Sequence, residues 1–473
     1  VSLQQSGERV REGSSTSMSG ASSISSVSSS SSVATMSGQR IVVVGGRRLE
    51  GEILVSGSKN AAVALMAGTI LASRGKTVLR NVPRISDIQT LADVLRHLGV
   101  VVSFSDGGRT ATVDATRLTT HEAPADLVAR MRASFWVLGP VLARLNRARI
   151  PQPGGCNIGA RAIDLHIKGI EALGASIDVR YGAVVAEAPR GLQGTSIYLD
   201  LPSVGATMNI MMAAALAEGT TIIENAAQEP DVEDLGNMLV QMGARITGHG
   251  TGMITIEGVL ALEGCEYSVM PDRIEAGTFA CMAAITGGDV LLRGANAGHL
   301  RPVLMKMGEA GIRAEELTEG VRILPRDARL RGTRVIASPH PGFPTDVQQP
   351  FTAVLTLAAG TSVITDTVYE SRFRYLTELA KMGARVEADG RTAVVTGVDR
   401  LTGADVEATD LRAGAALLVA ALAADGQTRV FRTEHVERGY ENIVEKLRGI
   451  GADIWREDEQ GRRSEKETLS LCA

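Results

Sequence analysis

Aromatic residues are scarce in this chain, 3% of 473 positions, and cysteine is scarcer still. The four cysteines, Cys156, Cys265, Cys281 and Cys472, are scattered, with no C-x-x-C pair and no histidine at ligand spacing. That pattern excludes a zinc site and a disulfide framework and fits a reducing, cytoplasmic location. No metal and no redox cofactor is indicated. Charge of one sign is also missing: 49 Lys and Arg face 53 Asp and Glu, a net charge of −4. The molecule as a whole is therefore no binder of nucleic acid, and any phosphate site has to be a local cluster of Arg and Lys. No apolar run approaches the ~20 residues that cross a bilayer, so membrane insertion is excluded. The longest runs, 61–72 and 413–424, read as buried helices. A P-loop is lacking too. Gly75-Lys76-Thr77 has Ile70 where that motif needs its first glycine, and no G-x-G-x-x-G follows a strand-like run. ATP-driven and nicotinamide chemistry are unsupported.

Residues 1–37 have few large apolar side chains and are dominated by serine, as at 28–32. Such a segment cannot bury enough surface to offset its ordering entropy. It has no apolar stretch of the kind that makes a secretory signal. The expectation is a disordered tail, or a segment upstream of a start at Met36.

Glycine, by contrast, is abundant, at 52 residues, and six copies mark a repeat. They occur in Leu98-Gly99-Val100, Leu173-Gly174-Ala175, Met242-Gly243-Ala244, Ala310-Gly311-Ile312, Met382-Gly383-Ala384 and Ile450-Gly451-Ala452, at intervals of 75, 69, 68, 72 and 68 residues. A helix-period segment such as Ile88-Leu91-Val94-Leu95-Leu98 precedes the glycine, and a short alternating run follows it, as at Ile246 and Val386. The glycine belongs at a helix C-cap, where a left-handed residue ends the helix. A second marker, glycine followed by a β-rich run, recurs upstream at Gly75, Gly219, Gly287, Gly360 and Gly426. One α/β unit is thus present six times, and a chain of this length divides into two domains of three units. The second unit is irregular, with a Gly/Cys/Arg-rich insertion between Pro151 and His166. An irregularity in a regular array marks the place to look for function.

Five motifs carry chemistry. In Ser56-Gly57-Ser58-Lys59-Asn60, Ser58 can cap a helix whose free N–H groups, with Lys59, favour an anion; a plain helix start is the bland reading. In Met131-Arg132-Ala133-Ser134-Phe135-Trp136, Arg132 suits a phosphate or carboxylate clamp, or lies along an amphipathic helix. The loop Pro153-Gly154-Gly155-Cys156-Asn157-Ile158-Gly159-Ala160-Arg161 presents an accessible thiol, with Arg161 lowering its pKa. A buried spectator cysteine is the commoner fate of a free thiol, and the glycine-rich context argues against it. In Pro341-Gly342-Phe343-Pro344-Thr345-Asp346, a rigid turn presents one carboxylate as a general base or as a helix cap. Finally Arg372, Arg412 and Arg438 sit in the last two repeats, each open to reading as a surface arginine.

Together these residues resemble the UDP-N-acetylglucosamine 1-carboxyvinyltransferase family, a branch of the EPSP synthase/enolpyruvyl transferase superfamily. The match runs from about Ile41 to about Trp455 and includes S-G-S-K-N-A, M-R-A-S, P-G-G-C-N-I-G-A-R, S-V-G-A-T, P-D-R-I-E-A-G-T-F, F-P-T-D, T-D-L-R-A and R-G-Y in order. The cysteine loop separates this branch from the 5-enolpyruvylshikimate-3-phosphate synthases. The resemblance implies an α/β fold, a two-domain inside-out α/β barrel with six β-α-β-α-β-β units, three per domain. One domain takes 38–58 and 271–456, the other 59–270 with the cysteine loop, and 457–473 form a polar tail. It implies transfer of enolpyruvate from phosphoenolpyruvate to the 3-hydroxyl of UDP-N-acetylglucosamine by addition then elimination, the committed step toward peptidoglycan, with no cofactor. Cys156, Asp346 and Lys59 would be catalytic, with Asp346 taking the hydroxyl proton and Cys156 protonating C3 or assisting product release. Lys59, Arg132, Arg161, Arg412 and Arg438 would hold phosphoenolpyruvate. The UDP-sugar would contact Asn60, Arg132, Arg161, Ala162, Ile163, Asp164, Leu165, Ser203, Val204, Gly205, Asp346 and Val368. Three positions depart from the family pattern: Ala162 stands for the usual Pro, Ser371 for Asn and Glu437 for Asp. The first lies near the expected nucleotide site, so two other readings stay open. One is a paralogue acting on another uridine nucleotide such as UMP, and the other a catalytically silent regulatory homologue.

Overall fold

Three helices in each half of the chain carry apolar residues on every side, and a helix of that kind has to be enclosed. The computed structural model describes residues 38–154 and 163–464. In it Lys59–Gly68, Leu138–Leu145 and Val204–Ala214 lie inside one hydrophobic core. Arg273–Thr286, Thr345–Leu355 and Leu411–Ala423 lie inside a second. Every residue from Ala61 to Ala72 and from Ala413 to Leu422 is buried, as the apolar runs predict, and so is every residue from Ala206 to Ala214. Small residues let the helices approach closely. A Cβ on Gly139 would stand 2.3 Å from Asn209 O, and one on Gly414 2.4 Å from Val436.

Sheets wrap these helices from outside. Of the seven sheets among the described residues, five share one plan, an antiparallel trio with a parallel strand along one edge; the other two have three and two strands. In one, Ser196–Tyr198 runs parallel to Thr220–Glu224, which pairs antiparallel with Met253–Glu257, then Arg245–Thr247. In another, Arg334–Ala337 is parallel to Thr361–Asp366, followed by Thr392–Thr396 and Arg385–Asp389. Burial alternates along such strands, so one face lies on the helices and the other meets water. The architecture is the expected inside-out α/β barrel pair of six repeated units. All six marker glycines have φ between 89° and 104°, each directly after the C-cap residue of its helix.

The chain passes between the two cores twice. Glu50–Leu54 pairs with Asp289–Arg293 over the second core, yet the helix after it, Lys59–Gly68, lies in the first. Glu266–Ser268 pairs with Thr77–Arg80 over the first core, and the next helix, Arg273–Thr286, lies in the second. The two passes run side by side: Ser58 N donates to Met270 O at 2.7 Å, and Asp272 N to Ser56 O at 2.8 Å. The first strand, Arg40–Val44, is inserted between Gln427–Phe431 and Asp453–Glu457, so the start of the described chain completes the sixth sheet. That sheet continues to Arg463–Ser464, within the segment read as a polar tail.

The second unit is the irregular one here too. Its sheet has three strands, Arg147–Pro151, Ala183–Glu187 and Ser176–Arg180. A single parallel bridge, Glu122 to Arg149, stands in place of an edge strand. The connection from Arg147–Pro151 to the helix Asp164–Ala172 carries the cysteine loop. Cys156, Arg161 and Ala162 lie outside the described residues.

Candidate active site

Asp346 does not cap its helix. Pro344 takes the N-cap position of Thr345–Leu355, and Asp346 sits in the first turn. Its Oδ1 accepts from Arg372 Nη2 and its Oδ2 from Arg412 Nε, the latter at 3.2 Å. The two arginine side chains are only 2% and 3% exposed, so the surface-arginine reading fails for both. Arg412 is aimed by the first turn of Leu411–Ala423, whose cap Asp410 accepts from Arg412 N and Ala413 N. Gln349 Nε2 ties Arg372 O to Asp410, and Tyr369 and Tyr440 lie under Arg372 and Arg412 at 5.4 and 5.1 Å. Burial pulls the pKa of each guanidinium down, but the polar groups around it outweigh that. Asp346 and Asp410 raise that of Arg372, and Tyr440, Asp346 and Asp272 that of Arg412. Both stay charged. Arg372 Nε and Arg412 Nη1 are buried without an acceptor among the described residues, a donor pair that an anionic substrate would satisfy.

A second cluster forms around Asp87. Ser58 caps Lys59–Gly68 as expected, accepting Ala61 N at 3.3 Å, and its hydroxyl donates to Asp231 at 2.8 Å. From the start of this helix Lys59 Nζ reaches Asp87 Oδ2 at 2.9 Å, while Arg438 Nε reaches Asp87 Oδ1, also at 2.9 Å. Burial alone would raise the Asp87 pKa; Lys59 and Arg438 hold it below the usual carboxylate range. Lys59 and Asp87 flank the first core, and Arg438 comes from the loop after Glu434–Glu437 in the second. The same loop sends Glu441 to Arg84 and Arg109, at 2.7 and 3.1 Å, and Tyr440 back toward Arg412. Asp272, which caps Arg273–Thr286, accepts Lys59 N at 3.0 Å. Lys59, Arg438, Arg412, Arg372 and Asp346 thus belong to one charged network between the cores.

A buried carboxylate with a depressed pKa stabilises the fold above its unfolded pKa of about 3.9, and that contribution is lost as pH falls through the lower folded value. Replacing Asp87 by Asn removes the carboxylate that Lys59 and Arg438 share and is expected to cost about 3 kcal/mol at pH 7. Urea unfolding should show the gap between variant and native protein closing only below about pH 4. A constant gap from pH 7 to pH 3 would show that Asp87 does not act through its charge.

The remaining expected contacts gather at a third place. Arg132 opens the turn Arg132–Val137, which packs on Lys59–Gly68. Ile163 precedes the helix Asp164–Ala172, and its neighbour Leu165 is half-buried. Ser203 caps Val204–Ala214 by accepting Ala206 N at 3.4 Å, and Val204 and Gly205 offer the unpaired N–H groups of a helix start. These pieces meet at Gly205, where a Cβ would stand 2.9 Å from Trp136 Nε1 and 3.1 Å from His166. Asn60 is half-buried in the first turn after Lys59. Val368 lies in a turn held by Asp366, which accepts Val368 N at 2.9 Å and Thr345 Oγ1 at 2.6 Å. It is thereby kept beside the helix start that carries Asp346.

Burial pushes the Cys265 thiol up to about 11 and that of fully buried Cys281 higher still, so neither is a nucleophile at neutral pH. Among the described residues no group of His, Cys, Asp and Glu is placed to hold a metal ion. Asp87, Asp272, Tyr440, Trp136 and His166 were missed by sequence reasoning. Asp87 stands in no motif, and its partner Arg438 is 351 positions away. Tyr440 stood inside R-G-Y and carried no signal of its own.

The sequence pattern of the EPSP synthase (3-phosphoshikimate 1-carboxyvinyltransferase) family matches residues 43–447. Among individual proteins, UDP-N-acetylglucosamine 1-carboxyvinyltransferase 1 of Halalkalibacterium halodurans is 51% identical over 418 residues, 88% of this chain and 94% of that protein. UDP-N-acetylglucosamine 1-carboxyvinyltransferase 2 of Carboxydothermus hydrogenoformans is 50% identical over 419 residues, covering 88% and 99%. Among solved structures, the enolpyruvyl transferase NikO from Streptomyces tendae superposes with a TM-score of 0.80 at 28% identity, over 91% of this chain and all of that one. An EPSP synthase from Acinetobacter baumannii gives 0.69 at 20% identity, over 89% and 100%, a likeness of fold.

Proposed function

We infer, for a chain that belongs to the EPSP synthase (3-phosphoshikimate 1-carboxyvinyltransferase) family, that it transfers the enolpyruvyl group of phosphoenolpyruvate to the 3-hydroxyl of UDP-N-acetylglucosamine and releases phosphate. The observation that carries this reading is the identity of about half of all aligned residues with enzymes named for that reaction, against 28% with NikO.

In this reading the sugar oxygen bonds to C2 of phosphoenolpyruvate while C3 gains a proton, and the resulting ketal loses phosphate from C2 and a proton from C3. Negative charge is high throughout, so catalysis needs cations fixed in place before the substrate arrives. Lys59, Arg132, Arg412 and Arg438, with Arg161, hold the phosphate and carboxylate. Asp346 takes the hydroxyl proton, and Cys156 handles the proton at C3 or eases product release. The spare donors of Arg372 and Arg412 favour an anion beside Asp346. The UDP moiety lies along Ile163–Leu165 and the helix start at Ser203–Gly205, with Arg161 and Ala162, while Asn60 and Val368 face the sugar. Two domains, 59–270 and 38–58 with 271–456, close on the substrates, and the pairs Asp87–Arg438 and Glu441–Arg84 join them. No helix among the described residues is long and apolar enough to cross a membrane; we place the enzyme in the cytoplasm, where its substrates are made.

The test is phosphate release from phosphoenolpyruvate with each candidate acceptor. Release is expected with UDP-N-acetylglucosamine and not with UMP. Turnover of UMP alone would transfer the reading to the other acceptor, and no release with either would support a silent homologue.

A further inference from the structure

The helix Val204–Ala214 is apolar along its buried length except at Thr207 and Asn209. Thr207 is engaged by Ala227 N at 3.0 Å. Asn209 is fully buried, and a buried amide needs partners at both ends. Its Oδ1 accepts from Gly139 N at 2.6 Å. A backbone N–H can only donate, so this contact fixes which end of the amide is oxygen. The nitrogen Nδ2 therefore faces His166 Nδ1, at 3.1 Å, and lies 3.4 Å from Phe135 O.

A ring nitrogen that accepts an N–H carries no proton. His166 is neutral at physiological pH, since burial and then the charge of Arg132 push its pKa down to about 3. Its single proton is thus on Nε2, and Phe135, edge-on at 5.3 Å, holds the ring plane. Nε2 looks onto Gly205, 3.1 Å from where a Cβ would be, and Trp136 Nε1, which can only donate, looks onto the same point from 2.9 Å. Glycine is needed at 205 because any side chain would cover both donors. No acceptor for either ring N–H is present among the described residues.

We propose that Asn209 is a positioning residue that holds His166 as its Nε2–H tautomer, so that His166 and Trp136 present two neutral donors to the diphosphate of the nucleotide at the start of Val204–Ala214. This rests on the reading that a UDP-sugar binds there. The ring donors act through direction, complementing Arg132, which acts through charge. A histidine in the other tautomer would aim a lone pair at a phosphate oxygen and repel it.

The experiment pairs kinetics with ring-nitrogen spectra of labelled histidine in the intact enzyme. Native protein should show His166 as the Nε2–H tautomer, with that signal moving on addition of UDP. His166→Leu should raise the KM for UDP-N-acetylglucosamine about tenfold, the size of one lost hydrogen bond to a charged group, while kcat changes by less than about threefold. His166→Gln, whose amide N–H falls near the former Nε2, should recover most of that affinity. Asn209→Leu should lose the Nε2–H signature and raise KM likewise; if it does not fold, the two His166 variants decide. A native Nδ1–H tautomer, or a KM unmoved in His166→Leu, overturns the proposal. Native enzyme that releases no phosphate with this acceptor would instead overturn the underlying reading.

Discussion

Asp346→Ala should lose about 10²–10⁴-fold in kcat, the range in which a positioned general base contributes, while still binding UDP-N-acetylglucosamine. The structure adds a second effect to the same substitution. Asp346 is the shared partner of two buried guanidinium groups, and removing it takes from each its hydrogen-bonded carboxylate, at a cost of about 3–5 kcal/mol in stability. Asp346→Asn separates the two effects, because its amide oxygen still accepts one arginine and the shape is unchanged. It should recover part of the stability and none of the turnover. Arg372 and Arg412 each hold one carboxylate oxygen and so fix the direction in which the remaining lone pairs accept a proton. Arg372→Lys, which keeps the charge and loses the planar fork, should therefore slow turnover as well. Near-normal kcat in Asp346→Asn would remove Asp346 from the base role and leave it an anchor for the two arginines.

The second large effect is expected at Cys156. Cys156→Asp should keep kcat within about tenfold, because a carboxyl group can still pass a proton. It should lose covalent labelling by epoxide inhibitors such as fosfomycin, because a carboxylate is far less nucleophilic than a thiolate. Intact mass after incubation with the inhibitor reads this directly, one adduct on native protein and none on the variant. Two of the other cysteines do not compete, since Cys281 is fully buried and the Cys265 thiol is pushed up to about 11; Cys472, outside the described residues, is removed from both proteins by Cys472→Ser. An undiminished adduct on Cys156→Asp would place the reactive thiol elsewhere and remove Cys156 from the chemistry.

The repeat was legible because it rests on local rules. A left-handed glycine after each helix and an apolar helix with no polar face are written within a dozen residues, and all six glycines took that conformation. The sheet order was harder to read. That Arg40–Val44 fills the sixth sheet follows from no local pattern, since its neighbours lie about 390 positions away. The charged site divided the same way. Lys59 and Asp346 stand at helix starts that announce themselves by capping and turn residues. Asp87 gains its role only when the chain crosses between the cores and brings Arg438 against it. His166 and Trp136 carried no assignment of their own until Gly205 placed their nitrogens over one point.

The central claim is an addition at C2 with protonation at C3, followed by elimination, on the hydroxyl of UDP-N-acetylglucosamine. It is tested most directly by running the reaction in deuterium oxide and determining the mass and deuterium position of the nucleotide product. The account predicts a product equal to UDP-N-acetylglucosamine plus phosphoenolpyruvate less phosphate, with deuterium on the enolpyruvyl C3. A product of that mass with no deuterium at C3 would contradict the mechanism, and no such product would contradict the function.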